Sequence, residues 1–554
     1  MGMPSNPVAL PAQNGRRLTH HAYLLLLAAG LIGYVVIAAF SSPPGLLGRH
    51  AWDEANYLNV VAYSHTDFLH FYPDFDPNRV DYNGAFLVYW PVLVVRSLVP
   101  PANFDALFIG RALSVGLTLL TSLLLYLFFN EMDRLRSLEP AKLKSATGSV
   151  LFLLAPVTLW YGDKYKLEPM VLAFAVLAFY LYLRSRRYSP TKRHTWAASA
   201  ALVFGTALSI KSVYLFAAPV FFVDIMLDAL ERIKSADRRL VDWFGMLRVL
   251  AVRLGAMLLG VLWPFLAVDA GLMLGGQDPV AHNFFFERML EFAAHTGYFD
   301  PHLGNVSADF LHNTLVGALS VYVLFLIVGL GELSRIRDRF LSAVFVALTV
   351  FSTLYAVVAL PHNSSHDYHA YYFLLPTLIG FKLWPMGPRA ILTVVPLIAL
   401  ANLAVAEASY GLLSHTYNDP NGNLQAIQAG QIIGTDYRSR HLEGTYVLND
   451  SPVVTYYARV PSFDYNELFI YRGSGRYDQL GIASDCQAFF LAAQEYRPIS
   501  LVYLDPNIVL DYYKAGQPQA RLSWCESYIA QHFHVLVVTS LGQPISLATS
   551  SGGP

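Results

Sequence analysis

The sequence predicts a polytopic α-helical membrane protein with a small α/β domain at its C-terminal end. Hydrophobic residues make up 55% of the 554-residue chain and charged residues only 14%, whereas soluble domains carry about 25% charged residues. Apolar runs of membrane-spanning length recur as far as residue 409, and residues 410–554 are less apolar. These observations predict a membrane part at 21–409 and a separate domain at 410–554.

The apolar runs predict about 11 transmembrane helices, because roughly 20 apolar residues in a helix cross a bilayer core of about 30 Å. No convincing small-residue cleavage site accompanies the first run, so we expect it to be retained as a span. The runs lie at 21–40, 106–129, 146–161, 169–184, 196–210, 213–228, 248–270, 311–332, 340–360, 370–384 and 390–409.

Basic residues predict the orientation of these spans, because cytoplasmic loops carry an excess of Lys and Arg. Clusters fall in alternate loops, at 16–17, 134–144, 184–193, 232–239, 335–339 and 389. The N-terminus 1–20 is therefore predicted to be cytoplasmic. The outer side then receives the loops 41–105, 162–168, 271–310 and 361–369 and everything after about 410. This topology predicts a multi-pass protein of the cell (inner) membrane.

The C-terminal region has the pattern of a small extracytoplasmic α/β domain, because strand-like runs alternate with amphipathic helices. The strand-like runs lie at 444–450, 499–505 and 535–540, and the helical patterns at 484–496 and 520–533. Two cysteines, Cys486 and Cys525, lie on the two helical patterns and would permit one disulfide in an oxidising compartment.

Charge and motif content exclude several functions. The net charge of −1 argues against nucleic acid as a partner. No Gly-rich nucleotide-binding loop is evident in the sequence. A pump or channel would place ionisable groups along its spans. Here the acidic residues gather in the first outer loop, at Asp53, Glu54, Asp67, Asp74, Asp76 and Asp81.

The adjacent carboxylates Asp53 and Glu54 follow the first span after a short linker. Such a pair beside a membrane suits a general base that deprotonates a hydroxyl, or a ligand for a cation. The alternative is structural, because the helix dipole favours acidic residues in a first turn and residues 55–62 could form a surface helix.

A second acidic element, Asp163 to Glu168, precedes Pro169 in the next short outer loop, where Pro169 suits the start of a helix. Alternatively, Lys164 and Glu168 merely neutralise each other. Lys211 is a lone lysine at membrane depth. It either extends to the interface or binds the phosphate of a lipid head group.

Histidines at 362, 366 and 369 precede a late span and have a spacing that could bind a metal on a helix, although hydrogen bonding at the interface is the more ordinary interpretation. His366 and His369 could also donate to phosphate oxygens. His282 and Asn283 belong to a weaker candidate lid or acceptor groove in the outer loop 271–310.

In combination, these elements resemble the GT-C glycosyltransferases of the protein O-mannosyltransferase and aminoarabinose transferase group, and the related RgtA/B/C/D-like enzymes. The resemblance covers about residues 20–385. The matching parts are Asp53-Glu54, Gly110-Arg111, Asp163 to Pro169, the Gly205, Lys211 and Pro219 pattern, and the aromatic run 371–376.

The resemblance implies the GT-C fold and an inverting transfer of a sugar from a polyprenyl-phosphate donor to an acceptor hydroxyl at the outer face of the membrane. The acceptor would be a glycan, a glycolipid or a protein. Asp53 would be the general base and Glu54 its support, with Asp163 and Glu168 as the second acidic motif. The donor phosphate would be bound by Lys211, Arg111, His366, His369 and Tyr372.

Two other classes of function stay open from the sequence: a transporter or flippase for lipid-linked saccharides, and a non-catalytic assembly subunit. A flippase would be expected to carry ionisable residues within its spans and often two related halves. The predicted spans hold few charges, and no internal repeat is apparent. A divalent metal, Mg²⁺ or Mn²⁺, is an open prediction at the acidic motifs.

Overall fold

The structure is a computed structural model that describes residues 12–41, 51–72, 86–136, 138, 141–234, 243–279, 319–358, 370–371, 373–410, 420–448, 452–463, 499–503, 533–540 and 543–550. The membrane part is a bundle of helices. They are α1 (Ala12–Ser41), α2 (Ala51–Tyr63), α3 (Phe86–Leu98), α4 (Ala106–Leu135), α5 (Lys142–Leu153), α6 (Pro156–Tyr161), α7 (Glu168–Ser185), α8 (Pro190–Ile210), α9 (Val223–Lys234), α10 (Trp243–Leu274), α11 (Tyr322–Gly331), α12 (Arg339–Val358), α13 (Leu374–Leu383) and α14 (Pro388–Tyr410).

Helical structure occurs at every predicted span, within the described residues. Five segments there are long and apolar enough to cross a membrane by length and composition: His21–Ser41, Ala106–Leu135, Glu168–Ser185, Trp243–Leu274 and Pro388–Ala408. Many of their large apolar side chains are exposed on the surface of the bundle, as expected where lipid is the solvent.

Two predicted spans are not continuous α-helices. The run 146–161 is divided into α5 and α6, because Pro156 lacks an N–H group and begins a new helix after the extended Ala155. The run 213–228 starts as a 3₁₀ helix, Ser212–Phe222, which contains Pro219 and continues as α9.

The segment 41–105, predicted as an outer loop, contains two helices, α2 and α3. The apolar α3 packs Phe86, Val88 and Tyr89 into the core. Its Arg96 donates hydrogen bonds to the Val61 and Ser64 carbonyl oxygens, at 2.8 and 3.2 Å. The prediction missed α3 because 13 residues are too few to span a bilayer. The buried apolar face instead anchors α2 to the bundle.

The predicted cytoplasmic ends of several helices meet in ion pairs. Lys382 of α13 lies 2.6 Å from Asp133 of α4, and Arg187 beyond α7 lies 3.1 Å from Glu131 of α4. Loops that the basic clusters assign to one side therefore lie together. These contacts agree with the predicted alternation, while the orientation relative to the membrane stays a prediction.

The C-terminal region forms a five-stranded sheet with helices α15 (Pro420–Ser439) and α16 (Pro452–Ala458). The strand order is β2-β1-β3-β5-β4, in which β1 is parallel to β2 and β3, and β5 is antiparallel to β3 and β4. The strands are β1 (Tyr446–Leu448), β2 (Ser462–Phe463), β3 (Ile499–Tyr503), β4 (Phe533–Ser540) and β5 (Gln543–Ser550).

All three predicted strand-like runs contain a strand. Two further strands, β2 and β5, were not predicted. Strand β2 has only two residues. The C-terminal half of β5 is rich in Ser, Thr and Ala and lacks the apolar alternation of a half-buried strand. The predicted helices at 484–496 and 520–533, with Cys486 and Cys525, lie outside the described residues, apart from Phe533 in β4.

Candidate active site

The first acidic motif lies at the start of α2. Asp53 is the third residue of this helix, and its side chain is outside the described part of the structure. Glu54 follows it and is 1% exposed. This position agrees with the helix-dipole interpretation, yet a helix start on the surface does not require a buried carboxylate. Burial of Glu54 needs a partner, and the partner lies on another helix.

That partner is Arg111 of α4. Its Nε and Nη2 atoms donate to the two carboxylate oxygens of Glu54, each at 2.9 Å. The Tyr165 backbone N–H donates to Glu54 Oε1 at 3.0 Å. This is the bidentate geometry of the strongest ion pairs in proteins. Burial by itself would raise the pKa of Glu54, but the Arg111 guanidinium and the Tyr165 amide lower it to about 2.

The loop between α6 and α7 brings the second acidic motif to the same place. Thr118 of α4 donates to the Gly162 carbonyl oxygen at 2.8 Å, and the Tyr165 hydroxyl donates to the Val88 carbonyl oxygen at 2.9 Å. Tyr165 packs so closely on α4 that a Cβ atom at Gly110 would lie 2.7 Å from its ring. The Gly110-Arg111 pair therefore admits the Tyr165 ring and supplies the guanidinium beside it.

Asp163 is buried and contacts side chains from two directions. Ser41, at the end of α1, donates to its Oδ2 at 3.3 Å, and the Lys164 ammonium lies 3.2 Å from the same oxygen. Burial lowers the pKa of Lys164, and the charge of Asp163 opposes that shift. Lys164 also interacts electrostatically with Arg111 and Glu54, so the two acidic motifs share one electrostatic environment.

Glu168 pairs with Lys211 across two helices. The Lys211 ammonium, at the end of α8, lies 2.6 Å from Glu168 Oε1 at the start of α7. Lys164, the alternative local partner of Glu168, lies 3.2 Å from Asp163 instead in the described ion pairs. The Lys211 side chain is 24% exposed.

Two buried tyrosines connect these elements, and sequence analysis did not select them as site residues. The hydroxyl groups of Tyr34, from α1, and Tyr371, before α13, both lie beside Gly162, where a Cβ atom would meet them. Tyr371 interacts electrostatically with both Asp163 and Glu168. A tyrosine inside the otherwise apolar first span was the available signal for Tyr34.

The remaining predicted site residues are not described. Those are the donor candidates His366, His369 and Tyr372 and the lid candidates His282 and Asn283, so their roles stay predictions. The side chain of Asp53 has the same status.

A divalent metal finds no ready ligand set in the described part of the chain, where no group of three or more His, Cys, Asp or Glu side chains could hold an ion. Glu54, Asp163 and Glu168 each contact a cationic side chain. Carboxylates paired in this way do not fit a metal site.

A helical membrane domain followed by an α/β domain is the architecture of the GT-C fold, found in membrane glycosyltransferases. The chain has that fold. ArnT from Cupriavidus metallidurans, in a structure bound to undecaprenyl phosphate, aligns with a TM-score of 0.54 and 14% identity over 98% of this chain and 100% of the ArnT chain.

The archaeal oligosaccharyltransferase AglB from Archaeoglobus fulgidus is a second structural relative. Its complex with an inhibitory peptide and a dolichol-phosphate aligns with a TM-score of 0.54 and 13% identity over 96% of this chain and 74% of AglB. No curated protein sequence is a significant match.

Residues 45–263 match the family model of dolichyl-phosphate-mannose-protein mannosyltransferases. This segment contains both acidic motifs, Arg111 and Lys211. The resemblance inferred from the sequence is thereby confirmed, as is the fold class. Fold and family match together support a glycosyltransferase.

Proposed function

We propose that the protein is an inverting glycosyltransferase that moves a sugar from a polyprenyl-phosphate donor to an acceptor hydroxyl at the outer face of the membrane. The main support is the buried Glu54–Arg111 ion pair, to which the loop carrying Asp163 is hydrogen-bonded through Tyr165. This arrangement joins two acidic motifs, 109 residues apart at Glu54 and Asp163 (163 − 54), at one end of a helical bundle.

Glu54 does not suit the role of general base. Its pKa of about 2 makes it a weak proton acceptor, and its oxygens already accept three hydrogen bonds. An efficient base has a pKa near the working pH and a free oxygen directed at the proton. Glu54 therefore acts as a fixed anion that holds Arg111 and the Tyr165 loop, and Asp53 is left as the base.

In the proposed reaction, Asp53 accepts the proton of the acceptor hydroxyl as its oxygen attacks the anomeric carbon. The new carbon–oxygen bond forms on the face opposite the phosphate, so the configuration inverts. The bond between the anomeric carbon and the phosphate oxygen breaks, and its electron pair leaves with the polyprenyl phosphate. Cations near the departing phosphate would stabilise the developing charge.

The donor assignment draws on the structural relatives, which bind undecaprenyl phosphate and a dolichol-phosphate. Lys211 is the best-placed described cation, because it is partly exposed while Glu168 holds its ammonium group. Arg111, by contrast, is committed to Glu54. We infer that Arg111 acts on the donor mainly through the charge balance of the site, and that Lys211 contacts the phosphate.

The decisive experiment measures sugar transfer and polyprenyl-phosphate release by the purified protein with polyprenyl-phosphate sugar donors. The Asp53→Asn variant should lose about 10²- to 10⁴-fold in rate and keep its affinity for the donor. Asp67→Asn is the matched control, because Asp67 lies in the same predicted outer segment and contacts only its neighbours Leu69 and His70 among its described hydrogen bonds.

Full activity of Asp53→Asn would eliminate Asp53 as the base. A wild-type protein that binds the lipid donor without releasing sugar would instead favour the flippase or the non-catalytic assembly subunit.

A further inference from the structure

Helix α16 is a seven-residue helix of the C-terminal domain that belongs to two hydrophobic cores. Val454 and Ala458 are buried in the core of the C-terminal domain. Val453, Tyr456 and Tyr457 pack against the core of the membrane part. The spacings of three and four residues place each set on its own helix face, so α16 is shared between the two parts.

Helix α16 packs closely against α15 of the C-terminal domain. A Cβ atom at Gly430 of α15 would lie 2.6 Å from Tyr457 Cβ and 2.8 Å from the Ala458 backbone nitrogen. Only a glycine permits this approach between the two helices. After α16 the chain turns at Arg459, which has a φ of +56°, a left-handed conformation that few non-glycine residues adopt.

The membrane side of α16 is attached to α2, the helix that carries Asp53 and Glu54. Asn59 Nδ2 donates to the Pro452 carbonyl oxygen at 3.0 Å in a buried position. The rings of Tyr63 and Tyr456 lie 5.5 Å apart, and the Arg459 guanidinium lies 5.8 Å from the centre of the Tyr63 ring. One hydrogen bond and an aromatic cluster thus hold α2 over about one turn of its length.

The same helix also influences the ion pair of the site electrostatically. Tyr457 interacts electrostatically with Arg111, whose guanidinium holds Glu54. Tyr456 interacts with Asp105, the residue that caps the start of α4 by accepting a hydrogen bond from the Phe108 N–H. Helix α16 therefore contacts α2 directly and lies within electrostatic range of Arg111 and Asp105 at the start of α4.

We propose that α16 positions the active site: the C-terminal domain uses it to fix α2, and Asn59 and Tyr457 are the positioning residues. This inference rests on the proposed transferase activity. A base that must meet an acceptor hydroxyl needs its helix held in place, and a misplacement of about 1 Å can cost about 10²-fold in rate. The C-terminal domain is then part of the catalytic geometry.

The test uses the full chain with two variants. Asn59→Leu keeps the side-chain size and removes the donor to Pro452. Tyr457→Leu removes the ring that packs against the core of the membrane part and against the Tyr456 ring. Each should lower kcat about tenfold while the donor KM changes less than about twofold. The control Tyr437→Phe removes a hydrogen bond to the Thr445 carbonyl oxygen inside the C-terminal domain and should leave both constants unchanged.

Hydrogen exchange provides a readout that does not require activity. The backbone amides of α2 should exchange faster in Asn59→Leu than in the wild type, and should not change in Tyr437→Phe. Unchanged α2 exchange in Asn59→Leu and Tyr457→Leu would overturn the proposal, whether or not the wild type transfers sugar. Faster exchange with an unchanged kcat would mean that α16 stabilises α2 without affecting catalysis. That result would also overturn the proposal.

If Asn59→Leu does not fold, Tyr457→Leu decides the outcome. A wild type that shows no transfer would refute the proposed function, while the exchange data would still determine whether α16 holds α2.

Discussion

Glu54 and Arg111 are the residues from which the rest of the candidate site is assembled. Each side chain is nearly inaccessible, at 1% and 11% exposure, and neither charge could be buried without the other. The sequence identified both residues, but it assigned Arg111 to the donor phosphate. Their pairing was not predictable, because 57 residues separate them and only the packing of α2 on α4 brings them together.

The depressed pKa of Glu54 predicts a loss of stability in acid. Its folded-state pKa is about 2, against a usual value of 4.5, so the ion pair stabilises the fold fully above about pH 4.5. That contribution, about 3 kcal/mol, should disappear as the pH falls from 4.5 through 2. Thermal unfolding in detergent between pH 6 and pH 2 measures it.

Other carboxylates also titrate in this range, so the control is Glu54→Gln. Its pH slope should be shallower than that of the wild type. Identical slopes would show that Glu54 is not held as an ion.

Variants of the Lys211–Glu168 pair should show whether Lys211 contributes only to stability or also to donor binding. Lys211→Met should destabilise the fold by about 3–5 kcal/mol, because it leaves the buried Glu168 carboxylate unpaired. Adding Glu168→Gln should restore much of that stability. If Lys211 also binds the donor phosphate, the double variant should still have a donor KM raised about tenfold.

Recovery of both stability and donor KM in the double variant would confine Lys211 to its role as the partner of Glu168. Unfolding midpoints and donor titrations on the same samples decide between the two outcomes.

At the scale of the helices, glycines decide how closely the site elements approach one another. Gly110 of α4 faces the Tyr165 ring at a distance that admits no side chain. Gly116, on the same helix, is exposed, and a Cβ atom there would meet nothing within 4 Å. The two positions therefore form a matched pair within one helix.

Gly110→Ala should displace Tyr165 and the loop that donates to Glu54, at a cost of about 1–3 kcal/mol and a clear loss of activity. Gly116→Ala should be neutral or slightly stabilising, because alanine is the better helix former by about 1 kcal/mol. Unfolding midpoints and transfer rates of the two variants test this. Equal behaviour of both variants would contradict the assigned packing of Tyr165.

The helix boundaries show which structural features proline positions and hydropathy can predict from the sequence. Pro169 marks the start of α7 within one residue, because proline fits only the first turn of a helix. The break between α5 and α6 at Pro156 follows the same rule. Helix α3 was missed because it is too short to span a bilayer. Hydropathy alone does not distinguish a short buried helix from an apolar stretch of a loop.

At the scale of the whole molecule, the alternation of basic clusters predicts that Thr191 is cytoplasmic and Ala102 is outside. Both residues are exposed. In a chain with Cys486 and Cys525 replaced by serine, a membrane-impermeant maleimide applied to intact cells should label Ala102→Cys. Thr191→Cys should react only after the membrane is opened.

Labelling of Thr191→Cys on intact cells would reverse the topology and move the candidate site to the cytoplasmic face. The labelling of Ala102→Cys after lysis serves as the control for reactivity.

The sequence by itself determined the class of protein, the positions of the apolar helices and the two acidic motifs, and it predicts the pattern of outer and inner loops. These features are local, since hydropathy, charge and proline act over one helix or one loop. Only the tertiary structure decided that Glu54 binds Arg111, that Lys211 binds Glu168, and that a helix of the C-terminal domain contacts α2. Such pairings depend on which buried charges and helix faces meet across long stretches of chain, and no local pattern encodes that.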